Sequence, residues 1–80
     1  MMYFVYILKS DKDSSYYIGA TKDVSIRFKQ HNSGAVRSTK PKIPYHLIWT
    51  AAFPNKEKAF AFEKYLKSSS GYAFMKKRLV

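Results

Sequence analysis

Two tyrosines, an arginine, a histidine and a glutamate are spaced in this chain so that folding can gather them at one place. Tyr6 and Tyr17 sit in strand-like triplets, Val5-Tyr6-Ile7 and Tyr17-Ile18-Gly19, separated by a polar turn. Arg27 and His31 are one helical turn apart and so share a face of a helix. Glu63 falls in a later helical stretch. A phenol pair, a planar cation, an imidazole and a carboxylate are a sufficient set for metal-assisted phosphodiester hydrolysis. That reaction needs an activated water, a partner for charge on the phosphoryl oxygens, and help for the departing 3′ oxygen.

Hydrophobic periodicity marks two of these groups as out of place in a plain core. Val24, Phe28 and His31 form the stripe of the first helix, and the i+3 position of that stripe holds Arg27. Ala59, Phe62 and Leu66 mark the buried face of the second, with Glu63 at the i+4 position. An unpaired buried charge is costly, so such groups pair, hold a metal or line a wet cleft. A structural Arg27–Glu63 ion pair, or side chains snorkelling past the rim, satisfies the same pattern. The company of Tyr6, Tyr17 and His31 favours a site. In it, Glu63 anchors a single divalent ion, Mg²⁺ or Mn²⁺, which takes oxygen ligands and keeps water and phosphate in its shell. Arg27 clamps a non-bridging phosphate oxygen. A free phenol has a pKa of about 10, so nearby positive charge must favour phenolate or the phenol must pass its proton on. Gly19 lets the backbone approach the site closely.

The elements that must position these residues follow from turn and cap signals. Tyr3 to Leu8 and Tyr16 to Ala20 read as a hairpin around the polar loop Lys9 to Ser15. Thr21 or Asp23 caps a helix to about Asn32, stopped by Ser33-Gly34. Ala35 to Pro44 is a basic loop, and His46 to Phe53 a third strand. Asn55 caps a second helix reaching about Ser69, Gly71 breaks it, and Tyr72 to Leu79 adds a terminal helix. The order β-β-α-β-α-α predicts an α+β fold, a small antiparallel three-stranded sheet flanked by helices, as a single domain over residues 1–80.

Composition narrows the partners. Fifteen Lys and Arg against five Asp and Glu leave a net charge of +10, which attracts polyanions. Cysteine is absent, so no disulfide or Cys-rich zinc site staples the fold. Six Phe, seven Tyr and one Trp supply much of the buried surface instead. The apolar run Met1 to Leu8 lacks a basic leader and is ended by Lys9-Ser10-Asp11, and no stretch approaches the roughly 18 residues of a membrane helix. The expectation is a cytoplasmic protein without a membrane partner. Arg37, Lys40 and Lys42 lie in the basic loop, where Arg37-Ser38-Thr39-Lys40 offers charge and hydroxyls to phosphate in a flexible segment without reading bases.

The triplets, with Arg27, His31, Asn32 and Glu63 at matching spacing, resemble the GIY-YIG nuclease family, with Val5 in place of the leading Gly. The likeness runs from about Tyr3 to Leu79 and is strongest to the small stand-alone bacterial members with a Gln-His-Asn-Ser-Gly stretch, here Gln30 to Gly34. It implies Tyr17 as general base and Tyr6 positioning water or hydrogen-bonding phosphate. It implies a proton-relay or phosphate-contact role for His31 and a substrate contact for Asn32. Ala20 stands where DNA-repair incision members carry Lys, and Tyr72 to Arg78 offers Lys and Arg where many larger members have Asn. The expected function is a metal-dependent endonuclease acting on DNA or structured nucleic acid. The alternatives are a non-catalytic nucleic-acid-binding module on the same scaffold, or a subunit that takes its specificity from a protein partner. A basic structural protein such as a ribosomal component fits the charge but gives Arg27 and Glu63 no purpose.

Overall fold

In the computed structural model, which describes all 80 residues, the chain runs β1 (Tyr3–Ser10), β2 (Tyr16–Thr21), α1 (Val24–Asn32), a 3₁₀ turn (Lys40–Lys42), β3 (Tyr45–Phe53), α2 (Lys56–Leu66) and α3 (Ser69–Arg78). The sheet is antiparallel with spatial order β2-β1-β3, so the fold class matches the sequence reading and the first strand is central. No helix is long and apolar enough to cross a membrane.

A central strand must bury both faces. Alternation sends Val5 and Ile7 to one side, where they meet Ile18, Ala59, Leu66 and Met75 beneath α2 and α3. Tyr6 and Leu8 go to the other side, against Tyr45, Val24 and Phe28 beneath α1. A bulge in β3 keeps both layers filled. Ile7 pairs with Trp49 but Leu8 pairs with Leu47, so Ile48 is an extra residue and the later side chains change face. Trp49 and Phe53 therefore pack on Phe62 of α2, with ring centroids 6.0 and 5.4 Å apart, while Tyr45 joins the α1 layer.

The helices begin on side-chain caps. Asp23 accepts from the Ile26 amide at 3.0 Å, and Asn55 from the Lys58 amide at 2.9 Å. Gly34, at φ +83°, closes α1, as the Ser33-Gly34 signal predicts. β2 and β3 each extend one residue beyond the sequence reading, to Thr21 and from Tyr45, and two boundaries differ by more. β1 runs past Leu8 to Ser10, because the buried Ser10 hydroxyl finds partners in the Lys42 carbonyl at 2.6 Å and the Lys12 amide at 3.0 Å. The pattern also extends the second helix to Ser69 with Gly71 as its breaker, but α2 ends at Leu66 and Gly71 is the third residue of α3.

Ser68 makes that junction. Its hydroxyl donates to the Tyr65 carbonyl at 2.6 Å and accepts from the Gly71 amide at 3.2 Å, closing one helix and opening the next. Gly71 is required by packing, since a Cβ there would overlap the Tyr65 carbonyl and sit 3.0 Å from Leu66 Cα. At an ordinary helical position Gly→Ala gains about 1 kcal/mol. Gly71→Ala will instead lower stability by about 2 kcal/mol through this overlap, read as a reduced urea midpoint with an unchanged m-value.

Candidate active site

The phenol cluster grows from the register of the hairpin. Tyr6 pairs across the strands with Gly19, and Leu8 with Tyr17, so both phenols project from the α1 face as diagonal neighbours, with ring centroids 6.3 Å apart. The Tyr6 ring lies directly over Gly19. A Cβ on that residue would be 2.9 Å from Tyr6 Cε1 and closer still to the hydroxyl. Gly19 thus does permit a close approach, and what approaches is Tyr6.

His31 completes the cluster from the last turn of α1. Its Nε2 is 2.8 Å from the Tyr6 hydroxyl and its Nδ1 is 2.9 Å from Thr39 Oγ1. All three side chains are buried, and the His31 ring also packs 4.8 Å from that of Tyr17, which is only half-buried. Burial, reinforced by the charge of Arg27, lowers the His31 pKa to about 4, so the imidazole is neutral near pH 7. Burial likewise pushes the Tyr6 phenol up to about 12; the nearby Arg27 guanidinium opposes this, and Tyr17 and Glu63 add to it. Tyr45, raised by burial, closes the far side of the cluster.

The two stripe charges do not pair with each other. Arg27 Nη1 donates to Gln30 Oε1 at 3.0 Å, while Glu63 accepts from Lys67 Nζ at 2.9 Å. Arg27 borders an open groove at the β2–α1 junction, lined by Ala20, Thr21, Lys22, Asp23 and Gln30. Glu63 sits on α2, across the sheet from α1, with 17% of its side chain exposed, close enough to influence Tyr6. A single half-buried carboxylate fits an ion that draws its other ligands from water and phosphate, and no group of three His, Cys, Asp or Glu side chains forms a closed cage.

The remaining predicted contacts have different surroundings. Asn32 spends both ends of its amide on the Tyr45 backbone, donating to its carbonyl at 2.9 Å and accepting from its amide at 2.7 Å, so it staples α1 to β3. Arg37, Lys40 and Lys42 are exposed on the loop before β3, and Lys42 lies 3.4 Å from Asp13. That loop is not the free segment its composition suggests. Ser10 and Lys12 donate to the Lys42 and Pro41 carbonyls, the Asp11 amide donates to the Pro44 carbonyl, and Thr39 turns inward. Sequence reasoning missed Thr39, whose polar neighbours advertise a surface residue. It also left Tyr45 outside the cluster and Gln30 without its Arg27 contact.

Fold and site together define a small α+β protein organised around a phenol–imidazole pair flanked by arginine and glutamate. Residues 2–78 match the GIY-YIG catalytic domain, and the chain belongs to that family. It is 44% identical over 71 residues to the UPF0213 protein BH0048 of Halalkalibacterium halodurans, covering 88% of this chain and 74% of that protein. A UPF0213 protein of Streptococcus pneumoniae is 40% identical over 80% of this chain. This chain spans 65% of that relative's length, so the relative is longer. The solution NMR structure of BH0048 from Bacillus halodurans superposes with a TM-score of 0.59 at 38% identity, covering 96% of this chain and 84% of that one. The family is one of nucleases that bind nucleic acid and typically use a divalent metal, whereas the relatives' names specify no activity, metal or substrate.

The buried neutral imidazole also sets the acid limb of stability. The unfolded chain takes up a proton near pH 6.5 that folded His31 refuses until about pH 4. Its contribution is therefore complete above the higher value and declines as pH falls through that window. Thermal melts between pH 7.5 and 4.5 will show the wild-type Tm falling with acidification and a flatter slope in His31→Gln.

Proposed function

We propose that this protein is a metal-dependent endonuclease that hydrolyses phosphodiester bonds of DNA or structured nucleic acid. The observation that carries the reading is the 2.8 Å hydrogen bond between a buried phenol and a buried neutral imidazole, Tyr6 to His31, beside Arg27. A phenol with a pKa near 12 does not stand as phenolate at neutral pH, so Tyr6 works as a relay. It takes the proton of the attacking water while passing its own to His31 Nε2. Its own high pKa then cancels, and the imidazole is the net acceptor. Arg27 binds a non-bridging oxygen, and its neutralisation by phosphate removes one of the two influences that depress His31. Tyr17, half-buried beside the same ring, orients the water. The roles implied for the two tyrosines by resemblance are thereby exchanged.

Glu63 would hold a single Mg²⁺ or Mn²⁺ once Lys67 gives way. Such an ion supplies charge neutralisation at the phosphate and eases departure of the 3′ oxygen. Arg37, Lys40 and Lys42 provide sequence-independent phosphate contacts, and Asn32 and Gly19 act by positioning β3 and Tyr6. We read residues 1–80 as one catalytic unit that works in the cytoplasm, with nucleic acid as its partner. One observation favours a second reading: Lys67 already neutralises Glu63 at 2.9 Å, as expected of a non-catalytic or partner-dependent binding module on this scaffold.

A labelled panel of duplex, nicked, flapped, branched and single-stranded DNAs, with RNA, separates the readings. The nuclease will cut with Mg²⁺ or Mn²⁺, and Tyr6→Phe will reduce the rate about 100-fold or more. Glu63→Ala will abolish cutting and leave binding intact. Binding without cutting on every substrate would favour the module. Contact with about six phosphates predicts a log–log salt slope near −5, measured by titration between 50 and 200 mM salt, and an affinity insensitive to salt would remove the charge argument.

A further inference from the structure

The hydrogen bonds around His31 form a chain of three side chains with distinguishable ends. At one end the Tyr6 hydroxyl has His31 Nε2 as its one hydrogen-bond partner. At the other, the Thr39 hydroxyl is 3.3 Å from the Val36 carbonyl, which can only accept. Between them Tyr6 faces His31 Nε2 at 2.8 Å, and His31 Nδ1 faces Thr39 Oγ1 at 2.9 Å. Every buried side-chain polar atom has a partner.

Only one arrangement of protons serves the whole chain. With the proton on Nδ1, His31 donates to Thr39, Thr39 donates to Val36, and Tyr6 donates to the Nε2 lone pair. With the proton on Nε2, His31 donates to the Tyr6 oxygen, and the phenol's own proton is left without an acceptor, since Nε2 is its one partner. We propose that Thr39 is a positioning residue that holds neutral His31 as the Nδ1–H tautomer, aiming the Nε2 lone pair at the Tyr6 phenol. The catalytic part of this rests on the nuclease reading above; the placement of the proton does not.

The fold is arranged to keep Thr39 where it is. Gly34 turns the chain out of α1 at φ +83°, and the amides of Thr39 and Lys40 bond back to the Val36 carbonyl at 3.2 and 3.0 Å. Beyond it the Lys42 carbonyl is tied to Ser10 at 2.6 Å, and Asn32 clamps Tyr45. The hydroxyl therefore meets Nδ1 from a fixed backbone. As an uncharged acceptor it orients the ring without adding a carboxylate to the site, leaving Glu63 as the local anion. Partners that orient a metal-ligating imidazole through its far nitrogen change affinity or activity by about 10- to 100-fold when removed, and the same range is expected for Thr39 on His31.

Long-range proton–nitrogen correlation NMR on ¹⁵N-histidine protein reads the tautomer directly. The chain has two histidines, so His46→Gln assigns the other. Wild type is expected to show Nδ1–H at His31, and an Nε2–H signal there overturns the proposal without any variant. Thr39→Val, which keeps the shape and removes the hydroxyl, is expected to shift His31 toward Nε2–H and slow cleavage about 10- to 100-fold. Thr39→Ser is expected to restore both. An unchanged tautomer in Thr39→Val also overturns it, as does wild-type cleavage with the tautomer shifted. If wild type cuts nothing while the tautomer behaves as assigned, the nuclease reading fails and the positioning of His31 stands.

Discussion

Tyr6 is a polar-tipped residue at the middle of the central strand, and much of the molecule answers to that constraint. Because β1 is flanked on both edges and covered on both faces, Tyr6 is almost wholly buried, and its hydroxyl must find its standing partner within the protein. A buried hydroxyl needs a partner, and leaving it without one costs about 1–3 kcal/mol. His31 supplies the partner, so α1 must cross the sheet with its last turn over Tyr6. His31 then needs an acceptor in its turn, which brings Thr39 and its loop inward. Gly19 is the counterpart on β2, where only a residue without a side chain leaves room for the ring.

The layer that holds this chain of hydrogen bonds is thin, and short polar links replace the apolar mass a larger protein would use. Ser10 and Asn32 each join segments that hydrophobic contact alone would leave loose. Both bond to main chain, which costs little side-chain entropy and fixes loop geometry tightly. The apolar burden falls on the opposite layer, where Val5, Ile7, Ala59, Leu66 and Met75 are fully buried beneath an aromatic row led by Trp49, Phe53 and Phe62. The molecule divides its labour by sheet face. One side carries the core, and the other carries the polar constellation.

Arg27 and Glu63 illustrate how that division generates a site. Each stands on the stripe of its helix, and although the two helices pack on opposite faces of the sheet, both charges act on Tyr6 and take separate partners, Gln30 and Lys67. Neither partner is a permanent neutraliser: Gln30 is uncharged, and the Lys67 pair is an i,i+4 contact at the surface, of the kind that contributes a few tenths of a kcal/mol. A phosphate or cation can compete with such contacts. The charges are thus held in place without being used up.

Element order, the hairpin, the caps at Asp23 and Asn55, the Gly34 stop and the anomalous charges on both helix stripes were all legible in the residues themselves. Those features depend on local sterics, hydrogen bonding within a few residues, and the period of hydrophobic positions, all of which a linear chain displays. Tertiary structure alone decided that Gly71 sits inside a helix, that Ser10 belongs to the strand, and that Thr39 leaves a basic loop to meet His31. It also decided against an Arg27–Glu63 pair. Each of these outcomes depends on what a residue meets in the fold: the Tyr65 carbonyl, the Lys42 carbonyl, a buried imidazole, a nearer partner for each charge. A polar side chain in the sequence declares that it needs a partner, and only the folded chain names which one.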